Sequence, residues 1–178
     1  MPIPAKSRRP FDSAQGGVPS GVEERRPQTA RGKRFVIIAS EFHASIARAL
    51  IQGAVGVLRQ AGASPSQIRL LWVPGAFELP VVAARVARSR PRPHAIIALG
   101  TLIRGETPQY EVLAHAVAQG LAQVSVERGI PVPFGVVVAT TVAQAKARAG
   151  GSFGNRGAEA ALAALAVLRL FDTLTPQR

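Results

Sequence analysis

Three separated stretches of the chain carry residue types that can do chemistry: Phe42-His43, Pro74-Gly75-Ala76-Phe77-Glu78 and Arg104-Gly105-Glu106-Thr107-Pro108. A phenylalanine held in a loop at a strand end offers a platform for a flat ring, and a glutamate beside it can accept hydrogen bonds from hydroxyls. Phe42 and Phe77 would serve equally as hydrophobic plugs, so on residue type alone both readings stand. The third stretch says more. Thr107 is a good N-cap and Pro108 a good first helical residue, because proline has no N–H to leave unpaired and its φ is already helical. The free N–H groups of a helix start, with Gly105 admitting close backbone approach, form a site for an anion such as phosphate.

The elements around these stretches decide whether they can meet. The run Phe35-Val36-Ile37-Ile38-Ala39 predicts a buried strand, and Ile46, Ala47, Leu50, Ile51, Ala54, Val55 and Leu58 recur on one helical face that Gly62 ends. Ile68 to Val73 predicts a second strand, broken by Pro74-Gly75. Phe77 to Arg88 predicts a helix with Pro80 in its first turn, where proline is tolerated. A strand at 95–102 leads through the Gly105 loop to a helix over 108–128, closed by Gly129 and Pro131. Val132 to Ala139 gives a fourth strand, Thr141 caps a short helix to about Ala149, residues 150–155 read as a loop, and a final helix runs from about Arg156 to Leu170. This alternation predicts an α/β fold, a three-layer αβα sandwich on a four-stranded, mainly parallel sheet of the flavodoxin-like kind. In such a sheet ligands bind at the carboxyl ends of the strands, where all three stretches fall.

Composition removes several function classes. With 178 residues and 47% hydrophobic content, one well-buried domain is expected, over 33–178, behind a proline-rich, basic and disordered tail over 1–32. No apolar run approaches the roughly 18 residues of a membrane span, and Pro2, Pro4 and charges stand where a secretory signal would need an apolar core, so a cytoplasmic protein is expected. There are no cysteines, and three scattered histidines give no metal-ligand spacing. The net charge is +12, of which residues 1–34 contribute eight Lys/Arg against three Asp/Glu, or +5. The excess is therefore spread along the chain. With 5% aromatics and no stacking platform between the charges, nucleic acid is an unlikely partner, and Arg85, Arg88, Arg90 and Arg92 read as a solvated helix end.

Taken together, Phe42, Pro74-Gly75-Ala76-Phe77-Glu78-Leu79-Pro80, Ala98-Leu99-Gly100 with Ile103-Arg104-Gly105-Glu106-Thr107, Pro133-Phe134-Gly135-Val136 and Arg148-Ala149-Gly150 with Gly154-Asn155-Arg156-Gly157 resemble the 6,7-dimethyl-8-ribityllumazine synthase family, over roughly residues 33–172. The resemblance implies the condensation of 5-amino-6-(D-ribitylamino)uracil with 3,4-dihydroxy-2-butanone 4-phosphate in riboflavin biosynthesis, with no organic cofactor and no metal. It implies that Phe42 stacks on the pyrimidine and that Ala76, Phe77 and Glu78 line the ring and ribityl pocket. Leu102 and Ile103 would give backbone contacts, and Gly105, Glu106 and Thr107 would hold the phosphate. Arg148 would complete the phosphate site from across a subunit boundary, and Phe134 would be the partner subunit's wall over the ring. A homopentamer, which in this family can extend to a shell of sixty subunits, follows from such a shared site.

The chain departs from the family where protons move. Gln109 stands where histidine is usual, and an amide cannot act as a general acid or base. His43, beside Phe42 where asparagine is common, would face the same pocket and is the candidate to take over that work. The alternative is a catalytically weakened relative that keeps the pocket to bind a lumazine or a flavin.

Overall fold

The computed structural model describes residues 29–174, so residues 1–28 of the expected tail lie outside the described residues. Ala30 is buried, and its N–H donates to the carbonyl of Ala61. Four parallel strands, β1 (Phe35–Ser40), β2 (Ile68–Val73), β3 (Ala95–Ile103) and β4 (Phe134–Ala139), stand in the order β2-β1-β3-β4. The helices are α1 (Ala44–Gln60), α2 (Leu79–Val86), α3 (Gln109–Arg128), α4 (Val142–Ala147) and α5 (Arg156–Leu174). The α/β sandwich read from the alternating pattern is therefore the fold observed.

Alternation along the central strands makes the two cores. Phe35, Ile37 and Ala39 of β1, with Ala95, Ile97 and Leu99 of β3, meet α1 and α5 on one face. Val36 and Ile38, with Ile96, Ala98 and Leu102, meet α2 and α3 on the other. Both central strands are apolar on each face because helices cover both.

Three local expectations shift. Helix α3 starts at Gln109 with Pro108 as its cap residue (φ −72°, ψ 10°), so Thr107 is not the N-cap; proline's ψ falls outside the helical range and delays the helix by one residue. Strand β4 begins at Phe134 instead of Val132, because Pro133 has no N–H to give the ladder, although its carbonyl still accepts from Ala98 N–H. The loop at 150–155 is a small antiparallel hairpin, β5 (Ala149–Gly151) with β6 (Gly154–Asn155), turned by Gly150 and Gly154 at φ 105° and 78°.

The hairpin delivers Asn155 to the junction of two helices. Its Oδ1 accepts from the N–H groups of Gly157 (2.8 Å) and Ala158 (3.1 Å), capping α5, while its Nδ2 donates to the carbonyl of Ala49 in α1 (2.9 Å). Gly157 must lack a side chain here, since a Cβ would come within 2.0 Å of the Leu50 carbonyl oxygen. We expect Asn155→Ala to lose the cap and the cross-helix bond together, about 1–3 kcal/mol by denaturant unfolding. Asn155→Asp keeps the cap and loses only the donor, so it should fall between; an alanine variant as stable as the parent would rule this out.

Candidate functional site

At the carboxyl ends of β1 and β3 the chain forms a cavity of about 320 Å³. Each of the three stretches contributes to its wall: Phe42 and His43 from the loop after β1, Gly75, Ala76 and Phe77 from the turn after β2, and Leu102, Ile103, Gly105, Thr107 and Gln109 from the end of β3 into α3. These residues meet because β1, β2 and β3 are parallel neighbours in register, with Ser40 opposite Val73 and Ala39 opposite both Trp72 and Leu99. Gly100 allows the close fit beneath them, since a Cβ there would meet Ser40 Oγ at 3.0 Å and Ala76 Cβ at 3.6 Å.

Phe42 is 66% exposed, too open to be a core plug. Its ring meets the His43 imidazole edge-on, with centroids 5.9 Å apart and planes at 75°. His43 takes left-handed backbone angles (φ 56°, ψ 53°) at the start of α1, and its side chain makes no capping bond. The imidazole is thus not committed to holding the helix. Left-handed non-glycine residues are uncommon, with Asn, Asp and His the enriched types, and they cluster at functional sites.

Several residues expected at the site do not line this chain's own cavity, among them Phe134 and Arg148, which were expected to come from a partner subunit. Glu78 lies beyond Phe77, in the next groove beside Pro80, Val81 and α3, and its Oε2 accepts from Gly75 N–H (2.9 Å). Glu106 is exposed and outside the wall of the cavity. Phe134 pairs with Ala98, five residues before Ile103, or about 17 Å back along the sheet at 3.3 Å per residue. Arg148 is flanked by Ala145 and Ala149 of the α1–α5 layer. Its guanidinium lies over the Phe153 ring, 5.6 Å from the centroid. Neither Phe134 nor Arg148 lines the cavity of its own chain.

Three lining residues were missed in the sequence: Thr101, Tyr110 and Leu113. Leu113 is one helical turn from Gln109, so the spacing that placed Gln109 also marked it. Tyr110 donates to Glu111 Oε1 at 2.7 Å, and this bond to the carboxylate, more than burial, raises its pKa above the ordinary phenol value. Thr101 is buried with a hydroxyl that has no partner among the described residues. His43 and Tyr110 are the two lining residues able to exchange a proton. Among the described residues no group of three or more His, Asp or Glu is placed to hold a metal ion, and no helix is long and apolar enough to cross a membrane.

Residues 32–172 match the family described as 6,7-dimethyl-8-ribityllumazine synthase. The chain is 47% identical over 145 residues to a protein of that name from Gemmatimonas aurantiaca, covering 82% of this chain and 88% of that one. It is 41% identical over 147 residues to the 6,7-dimethyl-8-ribityllumazine synthase of Thermus thermophilus, covering 83% and 93%. A third, from Desulfotalea psychrophila, is 43% identical over 145 residues, covering 82% and 93%.

Proposed function

From membership of the 6,7-dimethyl-8-ribityllumazine synthase family, to which this chain belongs, we infer a site built from two subunits around the cavity at the carboxyl ends of β1 and β3. The protein is an enzyme of riboflavin biosynthesis. It condenses 5-amino-6-(D-ribitylamino)uracil with 3,4-dihydroxy-2-butanone 4-phosphate to 6,7-dimethyl-8-ribityllumazine. The reading that it only binds a lumazine or flavin is not favoured, since the relatives are named as the synthase.

In this proposal Phe42 stacks on the pyrimidine, and the backbone at Leu102 and Ile103 aligns the ring. Ala76 and Phe77 wall the ring and the start of the ribityl chain. Glu78, with Oε2 held by Gly75, keeps Oε1 for the ribityl hydroxyls where that chain runs past Phe77 into the neighbouring groove. The N–H groups from Gly105 to Thr107, at the positive end of α3, receive the phosphate, and Glu106 contributes through its backbone. His43 moves protons during Schiff-base formation and ring closure, Gln109 orients the substrate by hydrogen bonds, and the remaining rate comes from holding the two reactants together.

The observation that carries the shared site is that this chain's Arg148 and Phe134 do not line its own cavity, although the reaction needs a cation at the leaving phosphate. A neighbouring copy supplies both. Helix α3 supports assembly: Val112 and Val126 are 66% and 83% exposed, opposite the buried Val117, Leu121 and Val124, so it is apolar on two sides and suits a second layer of protein. A homopentamer in the cytoplasm is the proposed form. Steady-state formation of the lumazine from the two purified substrates, with sedimentation of the same sample, tests the proposal. Turnover by a pentamer or larger assembly is expected, and turnover by a monomer would remove the shared site.

A further inference from the structure

A cavity larger than the candidate site lies at the opposite pole from it, where β1 and β3 begin. It encloses about 590 Å³. Its charged lining residues are five arginines, Arg34, Arg69, Arg85, Arg88 and Arg90, and no carboxylate. Arg69 and Leu71 are two apart on β2 and so share a face, and Leu71 packs on the α2–α3 layer. That turns Arg69 toward the end of α2, where Arg85 and Arg88 follow three apart. Arg34 donates to the Arg92 carbonyl (2.9 Å). A second concavity of about 450 Å³ shares Arg88, Ser89 and Arg90 and adds Arg92, Arg128 and one acid, Glu127, which already accepts from Gln123 (2.7 Å).

A solvated helix end does not account for this charge. The carboxyl end of α2 offers roughly half a negative charge, against five guanidiniums around one cavity. Leu71, Val82, Val86 and Pro91 give the basin an apolar wall beside the exposed guanidiniums, and so much charge of one sign in a concavity concentrates anions. We propose that this basin binds a small anion carrying two adjacent phosphate groups, either as free pyrophosphate or as the diphosphate of a nucleotide. Guanidinium forks match phosphate oxygens two at a time, and a single phosphate would satisfy too few of them. The volume lies within the range of small-molecule sites, and the apolar wall offers a nucleoside a surface to lie against. The basin is about 26 Å from the substrate cavity, the length of β3 between Ala95 and Ile103.

The test is calorimetric titration of the full chain at physiological ionic strength with inorganic pyrophosphate, ADP and orthophosphate. Saturable binding of the first two, each weakened at least tenfold in Arg69→Gln/Arg85→Gln, is the expected result, with orthophosphate weaker than both. Tighter binding of ADP than of pyrophosphate identifies the nucleotide as the source, and equal binding identifies the free anion. Both arginines are exposed, so the double variant should fold; Arg88→Glu is a second variant from the same rim, expected to weaken binding as well. Absence of saturable binding, affinity unchanged in both variants, or binding lost in Arg148→Ala instead would overturn the basin as the site.

Discussion

Arg148→Ala should raise the KM for the butanone phosphate by about 10- to 150-fold and leave the KM for the ribitylaminouracil nearly unchanged. The size follows from the charge-assisted hydrogen bonds a guanidinium gives a phosphate, worth about 1.5–3 kcal/mol, at 1.4 kcal/mol per tenfold. The selectivity follows from the proposal that the guanidinium serves the phosphate alone. Equal losses for both substrates would remove Arg148 from that role. Since Arg148 does not line the cavity that Phe42 helps to wall in its own chain, a mixing experiment separates the shared site from a local one. Arg148→Ala and Phe42→Ala subunits, each impaired alone when the butanone phosphate is kept well below saturation, should regain activity when unfolded together and reassembled, since some sites then receive a native residue from each. A site complete within one chain would regain nothing.

The fold was legible because each strand is a short run of β-branched and aliphatic residues bounded by glycine, proline or a cap, and each helix shows its apolar spacing. Where the reading slipped, one backbone group decided. Pro108 moved an element boundary through a ψ outside the helical range and Pro133 by withholding a donor, neither of which a periodicity count registers. The hairpin at Ala149–Asn155 is too short to show alternation, and its two positive-φ glycines read equally well as an unstructured loop. The site was legible as three loops at strand ends, but the place of Glu78 was not. Its carboxylate turns back to Gly75, a local bond formed three residues away that competes with any outward role and leaves no trace in spacing. Asn155 and Gly157 likewise entered as part of a family motif, and the structure gives them a packing reason instead.

The proton shuttle carries the other large effect. Gln109 lines the cavity and cannot titrate, and Tyr110 beside it is held in its neutral form by Glu111, which leaves the His43 imidazole as the other proton-exchanging side chain of the lining. His43→Asn is the informative change, because asparagine tolerates the left-handed backbone at this position whereas alanine would add strain to the loss of the imidazole. General acid–base assistance is worth about 10²–10⁴-fold, so kcat should fall by that order while stability is kept. Gln109→His in the same background should recover part of the loss, since it returns an imidazole to the same cavity from the α3 side. The pH profile sharpens the test: if the imidazole works as a base, the parent loses activity in acid and His43→Asn lacks that limb. A parent profile that matches that of His43→Asn, with His43→Asn turning over at the parental rate, would leave catalysis to positioning and reduce His43 to a loop residue chosen for its backbone.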